Sequence, residues 1–261
     1  MRLNWLLGIL FATHLFGLAH ADITRTIAQV KSSVLIVGTF KATGSPRFAL
    51  RGAGFIVSDG KSGDSNLLVT NAHVLVQVAD EEADTALVVQ VKVGKDEWQM
   101  RSATVLEVDK VHDLALLKFE GAALPSLKVG DSTQVREGQS VAFMGFPIGG
   151  ALGFSPVTHR GFISSIAAAA LPTPTAQQLN SKVIRSLRSG ISFDIFQLDG
   201  TAYPGNSGGP VFDPVTGEVL GVLNMVFIKG TRESALTHPS GISYAIPSEH
   251  IRQLLLRKGD Q

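Results

Sequence analysis

The sequence predicts an all-β protein of barrel or sandwich type with a short C-terminal helix. Short runs rich in β-branched residues recur along the chain, and Gly, Pro, Asp, Asn or Ser bounds most of them. Helical periods are few, and no repeat of fixed length is visible. The 261 residues suit one large domain or two small ones with an ample core.

The elements follow in order. Residues 1–21 read as an export signal: Arg2 is followed by an apolar run from Trp5 to Ala19, and Ala19-His20-Ala21 places small residues where a signal peptidase cuts. That run is about fifteen residues, interrupted by His14, and falls short of the ~20 a membrane-spanning helix needs. Cleavage after Ala21 is expected, removing one arginine and leaving basic and acidic residues in balance. A short helix is expected near Thr24–Lys31. Strands are expected at Ser33–Phe40, Gly54–Ser58, Asn66–Thr70, Leu87–Val93, Val111–Phe119, Ser140–Gly145, Gly161–Ile166 and Glu218–Val226. The stretch from Ala167 to Gly190 turns Ala-rich, then Pro-rich, then basic, and reads as a long exposed loop. Ser248 caps the expected final helix, where Ile251, Leu254 and Leu255 share one face. No later run is long enough for a membrane span.

Composition excludes several functions. Net charge is +1, with 23 basic and 22 acidic residues, which argues against a nucleic-acid partner. Hydrophobic residues make up 44% and charged residues 17%, the opposite of a disordered chain. Zero Cys removes disulfides, thiolate metal sites and cysteine nucleophiles. No cofactor and no metal are expected.

Three motifs carry chemistry. In Gly205-Asn-Ser-Gly-Gly-Pro210, glycines let the backbone turn sharply around Ser207 and aim its amides at one point. A tight turn without chemistry would look the same. In Leu68-Val-Thr-Asn-Ala-His-Val74, an apolar strand ends near His73, a side chain able to shuttle protons near neutral pH or to serve structure alone. In His112-Asp-Leu-Ala-Leu-Leu117, Asp113 begins an apolar strand, where a partly buried carboxylate needs a partner such as a histidine; a turn aspartate is the alternative. Gly205–Gly209 also fits the G-x-S-x-G elbow of α/β-hydrolases, but Pro210 and the Asp213-Pro214 turn suggest a hairpin where that fold needs a helix.

Taken together, these motifs resemble those of the chymotrypsin-like serine proteases, and within them the HtrA (DegP-like) peptidases. The resemblance extends to Gly52–Ser58, Gly145-Phe-Pro-Ile-Gly149 with Arg160–Ser165, Asp199–Gly209 and Ser243–Ser248, and so covers most of the mature chain. The order His73, Asp113, Ser207 is the chymotrypsin order. The resemblance implies a protease domain over 22–261, with two six-stranded antiparallel β-barrels at about 30–125 and 126–247 and a helix at about 248–258. It further implies peptide-bond hydrolysis by Ser207, His73 and Asp113, with the backbone amides of Gly205 and Ser207 holding the oxyanion. Asn206 stands where the digestive enzymes carry an aspartate, so no activation by cleavage is expected, and the nucleophile loop is expected to switch between ordered and disordered forms. Thr201 and Ala202, with Met225, Val226 and Phe227, would line a pocket for an aliphatic side chain. HtrA proteins usually continue into PDZ domains, and none is expected here; trimerisation through the amino-terminal segment is compatible with the resemblance. The expected function is an exported serine endopeptidase, periplasmic or secreted, whose partner is an unfolded polypeptide. A catalytically silent peptide binder or chaperone on the same fold is the alternative.

Overall fold

A computed structural model describes residues 23–59, 63–79, 84–95, 97–147, 154–168, 193–224 and 241–258, with backbone alone at 76–79. Helix α1 (Ile23–Lys31) precedes β1 (Val34–Lys41), β2 (Phe48–Val57), the short β3 (Asp64–Ser65) and β4 (Leu67–Asn71). Helix α2 (Ala72–Ala79), β5 (Thr85–Lys92), β6 (Trp98–Asp109), β7 (Leu114–Phe119) and β8 (Leu124–Pro125) follow. Then come β9 (Ser140–Gly145), β10 (Val157–Ala168), β11 (Asp194–Asp199), β12 (Pro210–Phe212), β13 (Val219–Asn224), β14 (Ile242–Pro247) and helix α3 (Glu249–Arg257).

The long strands close into two six-stranded antiparallel barrels, β1-β2-β4-β7-β6-β5 and β10-β11-β14-β13-β12-β9. Numbering each barrel's strands from one to six, both run 1-2-3-6-5-4 around the ring. Closure leaves neither barrel a free sheet edge among the described residues, and β3 and β8 pair apart from them as a two-stranded sheet.

The apolar runs follow from where each barrel meets the other. On β7, Ala115, Leu117 and Phe119 fill the first barrel, while Leu114 and Leu116 point into a core shared between the barrels. Strand β9 repeats this, with Val141 and Phe143 inside the second barrel and Ala142 and Met144 in the shared core. Both faces are dry, so these strands are continuously apolar rather than alternating. Each fully buried Leu, Ile or Phe contributes about 1.5–3 kcal/mol, and the fold stands on such burial without a disulfide. The end helices close the seam: Val30 of α1 and Ile251 and Leu254 of α3 are all buried in the shared core.

Several details differ from expectation. Ser248 does not cap α3 with its side chain. Its hydroxyl donates to the Gly130 carbonyl at 2.7 Å, and Ser132 Oγ accepts the Glu249 N–H at 3.0 Å instead. Asp113 lies in the turn before β7, not on the strand. Helix α2 was not expected, nor were β6 and β11. Residues 1–21 and most of the 167–190 stretch lie outside the described residues. Among the described residues, no helix is long and apolar enough to cross a membrane.

Candidate active site

Strands β4 and β7 pair so that Asn71 faces Leu114, bringing the start of α2 beside the turn that ends at Asp113. Asp113 has φ +52°, a left-handed conformation that aspartate tolerates better than most residues. Its carbonyl accepts the Ala72 N–H at 3.0 Å and Asn71 Nδ2 at 3.1 Å. Its carboxylate gathers three donors. Oδ1 accepts the His73 backbone N–H at 2.8 Å, and Oδ2 accepts His73 Nδ1 at 2.6 Å and Asn224 Nδ2 at 2.7 Å. A carboxylate only accepts, so Nδ1 carries the proton in this contact, and Nε2 is the ring nitrogen left for another partner.

The serine loop is built by a turn. Asn206 N–H donates to the Tyr203 carbonyl at 2.9 Å, with Pro204 and Gly205 between them. Gly205 has φ +99°, which makes this a type II turn, and proline fits its second position. The middle peptide, which carries the Gly205 N–H, is thereby turned over relative to a type I turn. The N–H groups of Asn206, Gly208 and Gly209 are bonded, to Tyr203, Leu223 and Asn206 carbonyls respectively. Those of Gly205 and Ser207 have no acceptor among the described residues.

The loop is tied to both barrels. The Ser207 carbonyl accepts the Ala53 N–H of β2 at 2.8 Å, while Gly208 N–H reaches Leu223 of β13 at 2.9 Å. Gly208 has φ +85°, and a Cβ there would lie 2.2 Å from the Ala53 carbonyl and 2.3 Å from Thr70 Oγ1. Gly52 is wedged between the two motifs: a Cβ on it would lie 2.8 Å from both the Ser207 carbonyl and Val74 Cγ2, next to His73. Among the described residues, no hydrogen bond joins Ser207 Oγ to His73; such bonds often tighten only when substrate binds. The Asn206 side chain is fully buried, and neither amide atom has a hydrogen-bond partner among the described residues.

The remaining expected residues spread out. Thr201 is half-buried, and Ala202 packs inside the second barrel with its N–H on Ser243 Oγ at 2.9 Å. Met225, Val226 and Phe227 lie outside the described residues. Sequence reasoning missed Asn224; its only trace was a polar residue interrupting the run Val219–Val226. Among the described residues, no group of three or more His, Asp or Glu is arranged to hold a metal.

The trypsin-like peptidase domain family matches residues 52–222. "Serine protease HTRA2, mitochondrial" of Drosophila pseudoobscura pseudoobscura is 30% identical over 219 residues, covering 84% of this chain and 42% of that protein. A "Probable periplasmic serine endoprotease DegP-like" of Halomonas elongata is 33% identical over 196 residues, covering 75% of this chain and 32% of that one. The chain thus spans less than half the length of these curated relatives. Among solved structures, "HtrA-type protease AlgW with tripeptide" shares the fold, with a TM-score of 0.61 at 24% identity over 91% of this chain and 64% of that one. With the family's match running from the second strand of one barrel to the fifth strand of the other, the chain belongs to the trypsin-like peptidase domain family.

Proposed function

We propose that this protein is an exported serine endopeptidase that cleaves unfolded polypeptides by acyl transfer. The observation that carries the reading is the Asp113 carboxylate holding His73 Nδ1 at 2.6 Å, with the serine loop tied to the strand beside it. Ser207 Oγ attacks the peptide carbonyl as His73 Nε2 takes its proton. The carbonyl oxygen, now negative, meets the N–H groups of Gly205 and Ser207, each donor worth about 10²–10³ in rate. His73 returns the proton to the leaving amine, and water then releases the acyl group by the same path. Asp113 orients the ring and stabilises its cation, and Asn224 holds Asp113.

Residues 1–21 are proposed as the export signal of a protease domain over 22–261; the periplasmic name of some relatives favours this destination, although others are named mitochondrial. An aliphatic residue before the scissile bond is proposed from the apolar Met225, Val226 and Phe227 and from Thr201, which carries no charge. The deciding experiment is labelling with a fluorophosphonate, compared with Ser207→Ala. Labelling is expected in the natural chain and absent in the variant. A natural chain that takes no label at Ser207 would refute the enzyme and leave a silent peptide binder.

A further inference from the structure

Four residues before Asp113 lies the centre of a second polar cluster, and the proposed reaction does not use it directly. Asp109 ends β6, and its side chain is only 3% exposed. Its Oδ1 accepts the N–H groups of Val111 at 3.0 Å and His112 at 3.1 Å. Its Oδ2 accepts His112 Nδ1 at 2.7 Å and Nη2 of Arg257, the last residue of α3. A single carboxylate therefore braces the turn from 109 to 113, whose final residue stands in the left-handed region. Helix α3 grips the same turn at its other end. His250 stacks on His112, with ring centroids 3.8 Å apart and planes 18° from parallel. Phe193 meets both rings edge-on, at 4.6 and 5.4 Å.

We propose that Asp109 is a positioning residue for Asp113, and that Arg257 is the contact through which the C-terminal helix holds it in place. This rests on the reading of Asp113 as the residue that orients His73. An aspartate in a left-handed turn keeps its geometry only where its surroundings impose it. Lys110 and Val111 are exposed, so on its N-terminal side Asp113 is restrained through Asp109 and the ring of His112, in addition to its own hydrogen bonds to Asn71, Ala72, His73 and Asn224. Burial alone would raise the Asp109 pKa, but hydrogen bonds from His112 and Arg257 outweigh it and hold the group at about 2. The ion pair is thus intact wherever the protein is folded near neutral pH. Without Arg257, the buried carboxylate loses its cation, the turn loosens, and Asp113 shifts against a ring that it must meet within tenths of an ångström. The pocket residues expected from the sequence do not include this cluster, so KM is expected to be left alone.

The test uses the full chain and a peptide substrate. Arg257→Gln is expected to lower kcat by about tenfold to a hundredfold, with KM unchanged, and Arg257→Lys to recover most of the loss. Arg252→Gln is the control: it sits on the same helix, exposed, 3.8 Å from Asp131, and should keep kcat within about twofold. Should Arg257→Gln not fold, Asp109→Asn serves, because its amide oxygen can still accept the two backbone N–H groups. It should show the same loss in kcat, and adding Arg257→Lys should lower it no further. An Arg257→Gln protein with natural kcat, an equal loss in Arg252→Gln, or a change confined to KM would overturn the proposal. A natural chain that fails to label at Ser207 would remove the underlying reading instead, and this inference with it.

Discussion

A single methyl group at Gly208 tests how the serine loop is held. In Gly208→Ala the new Cβ falls 2.2 Å from the Ala53 carbonyl and 2.3 Å from Thr70 Oγ1. Neither neighbour can step aside: one is backbone, and the other is buried and donates to it at 2.7 Å. Alanine at φ +85° costs about 1–2 kcal/mol. Overpacking adds about 1–3 kcal/mol. The sum is about 2–5 kcal/mol, which at about 2–4 °C per kcal/mol predicts a melting temperature lower by roughly 4–20 °C. Gly138→Ala separates the two terms, since Gly138 has φ +84° with nothing within 4 Å of its Cβ position; it should fall by only about 2–8 °C. Fluorophosphonate labelling should drop at least about 10²-fold in Gly208→Ala, because relief of the clash moves Ser207, and should persist in Gly138→Ala. Equal melting shifts in the two variants, or natural labelling in Gly208→Ala, would refute the reasoning.

Two further outcomes are expected. Asn224→Ala removes a hydrogen bond to a charged group, an interaction worth about 1.5–3 kcal/mol; labelling of Ser207 should slow about tenfold or more, and a rate equal to that of the natural chain would exclude a role for Asn224 in holding Asp113. Acidification should weaken the fold through His250, whose pKa is lowered from 6.5 first by burial and then by the His112 ring, against smaller opposing effects of Gln253, Glu249 and Asp109. The unfolded chain then binds the proton more readily than the folded one, so stability falls as pH drops below about 6.5. Burial lowers the pKa of His159 in the same direction, so His250→Phe should flatten only part of the melting-temperature slope between pH 7.5 and 5.5, and an unchanged slope would count against it.

Legibility in the sequence tracked burial. Strand β7 was plain because both its faces are dry, so Leu114, Ala115, Leu116 and Leu117 form an unbroken apolar run. Strand β6 was hidden because most of it is wet: Gln99, Met100, Ser102, Thr104, Val105 and Val108 are exposed, so no apolar face stands out. Helix α2 has the composition of a strand, Ala-His-Val-Leu-Val-Gln-Val-Ala. Its start is fixed from outside by the Ala72 and His73 N–H groups bonding to Asp113, a contact 40 residues away that no local propensity encodes. In the candidate site the serine loop stood out because its turns demand glycine at Gly205 and Gly208. Asn224 and Arg257 did not, since the hydrogen bond that draws attention to each runs to a partner more than 100 residues distant.

The apolar seam between the barrels has a consequence for the newborn chain. One oxygen of Asp113 bonds both His73 on the first barrel and Asn224 on the second, while Ala53 of the first holds the Ser207 carbonyl of the second. Each barrel can fill its own interior and still leave this arrangement unmade. In a chain of this design the candidate active site is complete only once the two halves have condensed on each other.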